Sequence, residues 1–332
     1  MKILFIFTGG TIGSTLNGDY ISTEKSKSYN IISSYDKKFG IDFDFDTVEP
    51  YTELSENNTG LNIQVLVDCV TENLKKDYDG IIVTHGTDTL QFSASAIAYA
   101  TGNTSIPICL VSSNFPIENE LSNGLHNLHA ALLIIKSKLG KGVFVPYRNN
   151  DSTEILVHRA TRLLSGKAFS DNIESAFNMY YGKFDNDFNY TKNTLYTESQ
   201  DQIAPLSIKN INEKSGELLW LFPYPGMVYP ELNDKVKYVL LNTYHSGTIN
   251  TKSSSAIRFF ENAKSKGVKL FITGITDGPS YDSTKLFDEF CITPIKNIAP
   301  VSAYVKLWIL TTNGYNETEL IHKSIAGDFV SL

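Results

Sequence analysis

The stretch of sequence that decides the fold is MKILFIFTGGTIGS, residues 1–14, in which an apolar run enters a turn of small residues. A second junction of the same kind, IIVTHGTDT, spans residues 81–89. Both have the pattern of a buried strand that ends in a tight turn. In an open parallel sheet such turns lie together at the carboxyl edge, where these folds bind ligands. The two junctions therefore predict that Thr11, Thr87 and Asp88 converge on one small polar ligand.

The segments around these junctions alternate between helical and extended patterns. Apolar residues recur at helical spacing from Ile63 to Leu74, ahead of the strand at 81–84, which predicts a β-turn-α-β unit. Further strands are predicted at 106–112 and 143–146, and further helices at 93–99 and 125–139. We therefore expect an α/β fold with a doubly wound, mostly parallel sheet and right-handed crossovers.

The length of 332 residues favours two domains. The expected N-terminal catalytic α/β domain covers residues 1–185, and a stretch rich in Asn, Asp, Thr and Lys suggests a linker at 186–216. A smaller C-terminal α/β domain is expected at 217–332. Its predicted strands are at 236–242 and 268–273, and its predicted helices are at 254–264 and 301–310.

The composition limits the partners that the protein can have. The net charge is -7, from 29 basic and 36 acidic residues, and there is no dense Lys/Arg run. We therefore expect no nucleic-acid or membrane partner, and a small-molecule substrate is favoured. No stretch has the pattern of a signal peptide or a membrane span, and Cys69, Cys109 and Cys291 form no CxxC pair. We expect a cytoplasmic protein without a disulfide framework or a zinc site.

The first turn has the glycines that a backbone anion site needs. Gly9, Gly10 and Gly13 permit positive φ and leave amide N–H groups free to bind an anion or an oxyanion. Their order matches neither GxGxxG nor GxxxxGK[ST], so nucleotide binding lacks its signature. In the second turn, the Asp88 carboxylate beside Thr87 suits an ammonium group or a proton-transfer partner. Capping of the following helix is an equally good interpretation of Asp88 taken alone.

TGGTIG at residues 8–13, followed by THGTDT at 84–89, resembles the two signatures of bacterial-type L-asparaginases. The resemblance is specific because the two motifs are paired. It extends to the family's flexible active-site loop, substrate loop and segment after the third strand, which match residues 18–21, 54–57 and 112–124. It implies a cytoplasmic, type I-like enzyme that hydrolyses the side-chain amide of L-asparagine to L-aspartate and ammonia. It also implies that no metal or cofactor takes part and that the protein is a homodimer or homotetramer.

The resemblance implies roles for individual residues. Thr11 matches the nucleophilic threonine that forms an acyl-enzyme, and Tyr20 matches the loop tyrosine that assists it. Thr87 and Asp88 match the second threonine and the aspartate that holds the substrate's α-amino group.

Two further positions match residues that bind the α-carboxylate end of the substrate, and they are Ser55 and Glu56. Family members carry serine or glutamine at the position of Glu56. A carboxylate there repels the substrate's own carboxylate unless it is protonated or turned away. We therefore expect either weak affinity or an altered substrate.

The main departure from the family concerns a lysine. The family places a lysine after a short Arg-x-Thr segment, as the partner of Thr87 and Asp88, whereas residues 158–162 end in Arg162. A guanidinium stays protonated, so Arg162 can anchor Asp88 through an ion pair but cannot accept a proton. Arg162 is kept in the expected catalytic set on this basis. Lys167, five residues further on, is a second hypothesis for the missing lysine.

Other functions stay open at this point. One is the asparaginase-like subunit of a tRNA-dependent amidotransferase, which passes ammonia to a partner, although no extra N-terminal domain is obvious. Another is a catalytically impaired amino-acid-binding protein that kept its pocket after Arg162 replaced the lysine. A Ser-His-Asp hydrolase is disfavoured because the chain lacks a GxSxG elbow. His85 is expected to make a supporting hydrogen bond rather than to act in catalysis.

Overall fold

The computed structural model describes residues 1–10, 14–17, 20–23, 30–198, 202–211 and 216–331, with the backbone alone for 14–17 and 20–23. Within these ranges the strands are β1 Lys2–Phe7, β2 Ser14–Asn17, β3 Tyr20–Thr23, β4 Asp44–Val48, β5 Gly80–Thr84, β6 Ile108–Val111, β7 Val143–Tyr147, β8 Ile155–Arg159, β9 Gly182–Phe184, β10 Tyr190–Lys192, β11 Leu218–Leu221, β12 Tyr238–Leu241, β13 Lys269–Ile275 and β14 Thr293–Lys296. The helices are α1 Asn30–Phe39, α2 Gly60–Asn73, α3 Leu90–Thr101, α4 Gly124–Lys136, α5 Ser254–Ser265, α6 Lys285–Glu289, α7 Pro300–Thr312 and α8 Glu317–Leu320. None of the helices in these ranges combines the length and the apolar character that a bilayer span requires.

The larger sheet has eight strands in the order β10-β9-β8-β7-β6-β5-β1-β4. Neighbouring strands are parallel from β4 to β7 and antiparallel from β7 to β10. The carboxyl ends of β1, β5, β6 and β7 therefore lie at one edge, and Phe7 of β1 pairs in register with Thr84 of β5. This pairing brings the turns that follow β1 and β5 side by side, as the sequence predicts.

A second sheet of four parallel strands, in the order β11-β12-β13-β14, begins at Leu218. The expected α/β class, with a large mostly parallel sheet and a smaller α/β unit, is confirmed. The large sheet extends past residue 185, into the segment 186–216 that the sequence assigns to a linker. It does so because Tyr190–Lys192 pairs with β9 as an edge strand.

Several predicted elements agree closely with the structure. The helix expected at 301–310 spans Pro300–Thr312, and the helix expected at 254–264 spans Ser254–Ser265. The strand expected at 143–146 spans Val143–Tyr147. These elements were predictable because each has a strong local hydrophobic pattern.

The side chains of β1 divide between two apolar layers, because successive residues of a strand point to opposite faces. Leu4 and Ile6 belong to a layer with α2 and α3, whereas Ile3, Phe5 and Phe7 belong to a layer with α1 and α4. The first layer continues into α7 and one face of the second sheet. A third cluster, around α5, covers the other face of that sheet. The two sheets therefore share one apolar core.

A buried ion pair strengthens the contact between α3 and α7. Lys306 and Asp328 are both fully buried, and Lys306 Nζ lies 2.8 Å from Asp328 Oδ2. Tyr99 OH, on α3, donates to the same Asp328 oxygen at 3.2 Å and to Ser302 O at 3.1 Å. Burial lowers the pKa of Lys306, and the Asp328 carboxylate opposes that shift. The pair thus ties α7 and the C-terminal segment to the N-terminal half of the chain.

Lys306→Met is expected to destabilise the protein, because it leaves the Asp328 carboxylate buried without its cation. Removing one partner of a buried pair costs about 3–5 kcal/mol, which urea unfolding measures as a lower free energy of unfolding. Lys285→Met is the control, since Lys285 pairs with Asp282 at the surface, where ion pairs contribute little. Equal losses in the two variants would contradict a special role for the buried pair.

Candidate active site

Gly10 lets the turn after β1 approach its neighbours closely. Its φ is 79°, and a Cβ there would lie 2.4 Å from the backbone nitrogen of Gly86. Gly10 N donates to Glu53 O at 3.1 Å, and Thr8 Oγ1 donates to Thr84 O at 2.7 Å. The turn after β1 is therefore held between the segment that begins at Glu53 and the turn after β5.

Ser55 connects the Glu53 segment to Asp88. Ser55 Oγ donates to Asp88 Oδ2 at 2.9 Å and accepts a hydrogen bond from Asp88 N at 3.3 Å. Thr89 Oγ1 donates to Ser55 O at 2.9 Å. Helix α3 begins at Leu90, and Thr89 makes no capping hydrogen bond. The Asp88 carboxylate bonds to Ser55 instead, so Asp88 does not act as the cap of α3.

His85 is fully buried in the turn after β5. Its Nδ1 lies 2.8 Å from Gly86 O, which assigns the proton to Nδ1 because a carbonyl oxygen only accepts. Its Nε2 lies 3.4 Å from Asn58 Nδ2, which also donates to Thr89 Oγ1 at 3.1 Å. Burial lowers the pKa of His85, so the ring is neutral at neutral pH. His85 supports the turn through these contacts, as the sequence predicts.

The remaining expected residues are placed as follows. Ser55 is buried, whereas Glu56 is exposed on the same short 3-10 helix, Ser55–Asn57. Thr11 lies outside the described residues. The backbone of Tyr20 belongs to β3, and its side chain lies outside the described part of the chain.

A cavity of about 520 Å³ adjoins the turn that carries Thr87 and Asp88. Its other walls include the loop at 163–173, Trp220 of β11 and Phe222 just after that strand. The cavity therefore has one end with a carboxylate and a hydroxyl and another end with aromatic rings. Its volume and mixed lining are typical of small-molecule sites.

Lys167 lines the same cavity as Thr87 and Asp88. Its Nζ lies 2.7 Å from both carboxylate oxygens of Glu174, and its side chain is 64% exposed. The loop that carries Lys167 is closed by a hydrogen bond from Leu164 N to Glu174 O at 3.0 Å. The structure thus brings an amine, a carboxylate and a threonine to one cavity.

Arg162 does not line this cavity, and among the contacts of the described residues none joins it to Asp88. Arg162 is fully buried; its Nε donates to Gly327 O at 2.9 Å, and its Nη2 donates to Thr197 O and, at 3.3 Å, to Phe329 O. The expected ion pair with Asp88 is therefore corrected. Carbonyl oxygens from a distant part of the chain hold the guanidinium in the interior instead.

Three residues near the site, Asn58, Glu174 and Trp220, were not expected from the sequence. Asn58 adjoins the segment 54–57 that resembles a substrate loop, and this was the one available signal for it. Trp220 reaches the cavity because β11 packs beside the large sheet, and Glu174 reaches Lys167 because their loop folds back on itself. Neither contact leaves a local pattern.

A protein-family model described as "Asparaginase, N-terminal" matches residues 2–193. This range contains both junctions, Ser55, Asp88 and the loop that carries Lys167.

Curated relatives include glutamyl-tRNA(Gln) amidotransferase subunits of three archaea. The protein of Sulfurisphaera tokodaii is 24% identical over 332 residues, which cover 93% of this chain and 70% of that protein. The protein of Saccharolobus solfataricus is 26% identical over 335 residues, which cover 93% and 71%. The protein of Pyrobaculum aerophilum is 29% identical over 163 residues, which cover 49% of this chain and only 39% of that protein.

Solved structures with the same fold include the thermostable L-asparaginase from Thermococcus kodakarensis, with a TM-score of 0.75, 18% identity and coverage of 100% of both chains. L-asparaginase I from Vibrio cholerae has a TM-score of 0.74 and 19% identity, with coverage of 99% of both chains. A probable cytoplasmic L-asparaginase from Campylobacter jejuni has a TM-score of 0.70 and 16% identity, with coverage of 97% of this chain and 98% of that one. At these identities the likeness shows the fold.

Gly86→Ala is expected to disturb this site, because a Cβ at Gly86 would lie 2.4 Å from Ser55 Oγ. Overpacking of this kind costs about 1–3 kcal/mol, which urea unfolding measures. Gly166→Ala is the matched control, since a Cβ there meets no described atom within 4 Å. If the two variants are equally stable, the close packing between Gly86 and Ser55 is not important for the site.

Proposed function

Because the chain belongs to the asparaginase family, we propose that it hydrolyses the side-chain amide of L-asparagine to L-aspartate and ammonia. The family and the fold support an amidohydrolase-type enzyme. The observation that carries the finer proposal is the hydrogen bond from Ser55 to Asp88, beside a cavity that Thr87 and Lys167 also line. A carboxylate held in this way suits the α-ammonium group of an amino-acid substrate.

The proposed reaction is an acyl transfer through Thr11. The Thr11 hydroxyl attacks the amide carbon, the C–N bond breaks, and ammonia leaves with the transferred proton while an ester to Thr11 remains. Water then attacks the ester, which releases L-aspartate and restores the hydroxyl. By family resemblance Tyr20 assists Thr11, and Asp88 holds the α-amino group of the substrate.

We assign the role of the family's lysine to Lys167. Lys167 lines the cavity together with Thr87 and Asp88, whereas Arg162 binds carbonyl oxygens in the interior. An ammonium group can give up a proton and take it back, and a guanidinium cannot at any working pH. The proposal therefore gives Arg162 a structural role and Lys167 a role in proton transfer.

Glu56 does not prevent binding of the substrate in this proposal. It is exposed on the short helix Ser55–Asn57, where its carboxylate can turn to water and its charge is screened. We assign contact with the amino-acid end of the substrate to Ser55.

A second candidate is the ammonia-producing subunit of a tRNA-dependent amidotransferase. The names of the curated relatives favour it, and about seven tenths of the length of two of them is matched. The hydrolytic step at Thr11 is the same in this case, but the ammonia passes to a partner protein. The main proposal instead requires that the protein alone, as a homodimer or homotetramer, turns over L-asparagine freely.

The purified protein is expected to release ammonia from L-asparagine, and Thr11→Ala is expected to abolish the release, because the acyl-enzyme can no longer form. A coupled ammonia assay with L-asparagine and L-glutamine in separate reactions measures both variants. Failure of the wild type to release ammonia, while L-asparagine still raises its thermal stability, would sink the hydrolase proposal and point to a binding protein or an absent partner.

Lys167→Ala is expected to lower kcat for L-asparagine by about 100-fold or more, the usual contribution of a positioned acid–base group, with a smaller change in KM. Lys167→Arg is expected to be impaired as well, because it keeps the charge but does not transfer the proton. Lys192→Ala, at an exposed position in β10, is the control. An unchanged kcat for Lys167→Ala in steady-state kinetics rules out the assignment.

A further inference from the structure

Arg148 has an unusual environment for a partly buried cation. It directly follows β7, at the same edge of the large sheet as the turns after β1 and β5. It is partly buried. Among the described residues its guanidinium makes no hydrogen bond and no ion pair, although its backbone carbonyl accepts from Asn123 Nδ2 at 2.8 Å and its backbone nitrogen donates to Asn127 Oδ1 at 2.9 Å. Arg159 and Arg162, by contrast, have donors bound by carbonyl, amide or carboxylate oxygens.

A cavity of about 380 Å³ adjoins Arg148. Its polar walls are amide side chains that are already bonded within the protein. Asn114 Nδ2 donates to Asn150 Oδ1 at 2.6 Å, and Asn123 holds the Asn114 backbone through its Oδ1 at 3.0 Å. These bonds keep the walls in place and leave the Arg148 guanidinium as a cationic donor without a partner among the described residues.

The charges around Arg148 are mostly positive. Lys38 Nζ and His126 Nε2 are 3.3 Å apart, and Arg148 is one of the charges that lower the pKa of each, after the larger effect of burial. The pKa of His126 is lowered to about 4. Glu120 also lines the cavity, but it is exposed and forms no ion pair with Arg148. Glu118, nearby in sequence, accepts from Asn30 Nδ2 at 3.3 Å.

A guanidinium that is partly removed from water and has no counter-ion carries an uncompensated desolvation cost. Proteins usually relieve this cost with a carboxylate or with a bound anion, and the planar guanidinium suits two-pronged binding of an oxyanion. We propose that Arg148 anchors a binding site for a small oxyanion, a carboxylate or a phosphate, in the cavity lined by Asn114, Asn123 and Asn150.

The proposed anion site is separate from the site around Asp88. β7 lies two strands away from β5 in the large sheet, and a spacing of about 4.8 Å per strand places their ends roughly 10 Å apart. None of the residues that line the Arg148 cavity lines the cavity beside Asp88 and Lys167. The proposal therefore does not depend on the proposed hydrolysis of L-asparagine, and it can fail or hold independently.

Thermal unfolding with increasing sodium phosphate, and in a separate series with sodium succinate, tests the site. Sodium chloride keeps the ionic strength constant, so that a general salt effect is removed. The wild type is expected to show a saturable rise in Tm of about 2–5 °C, the size expected when a ligand binds the folded state alone. Arg148→Gln is expected to lose this rise, and Arg258→Gln, at an exposed position on α5, is expected to keep it.

Each outcome of the two series decides something. A saturable rise with phosphate only identifies a phosphate site, a rise with succinate only identifies a carboxylate site, and a rise with both supports a general oxyanion site. No saturable rise with either anion, or an equal rise in Arg148→Gln, overturns the proposal. Without added oxyanion, Arg148→Gln is expected to be at least as stable as the wild type. If it does not fold, Arg148→Lys replaces it and is expected to bind more weakly.

Discussion

The structure depends on a short turn that two fully buried arginines hold in place. Arg159 and Arg162 flank the 3-10 turn Ala160–Arg162, which follows β8 and leads into the loop that carries Lys167. Arg159 donates to Lys141 O at 2.6 Å, and Arg162 donates to Gly327 O at 2.9 Å. Buried guanidinium groups are costly unless their donors are satisfied. The last residues of the chain must therefore reach the N-terminal sheet before the loop beside the cavity is positioned.

The second constraint is the close approach of two turns at the edge of the large sheet. β1 and β5 are neighbours, and Gly10 packs against the backbone of Gly86 at a distance that excludes a Cβ. Ser55 then lies against Gly86 and bonds to Asp88. A site built from three separate segments is thus as rigid as the sheet beneath it, which suits a site that must orient a small substrate.

Buried cations serve different ends in different parts of this chain. Lys306 is paired with Asp328 and joins α7 to α3, and Arg162 is bound by carbonyl oxygens and joins the C-terminal segment to the large sheet. Both are held by partners within the protein and contribute to its architecture. Arg148 has no such partner among the described residues, and Lys167 is mostly exposed beside a cavity. Cations that the fold does not use are the ones available to ligands.

Local sequence patterns were sufficient to predict the strands that end in the two turns, the helices α5 and α7, and the meeting of Thr87 and Asp88 with Ser55 at one edge. These follow from apolar periodicity and from small residues at fixed positions, which act over a few residues. Only the tertiary structure decided that the antiparallel strands β8 to β10 extend the sheet and that Lys167, not Arg162, reaches the cavity. The reason is physical: the carbonyl of Gly327, 165 residues from Arg162, captures its guanidinium, and no local pattern records a contact over that separation.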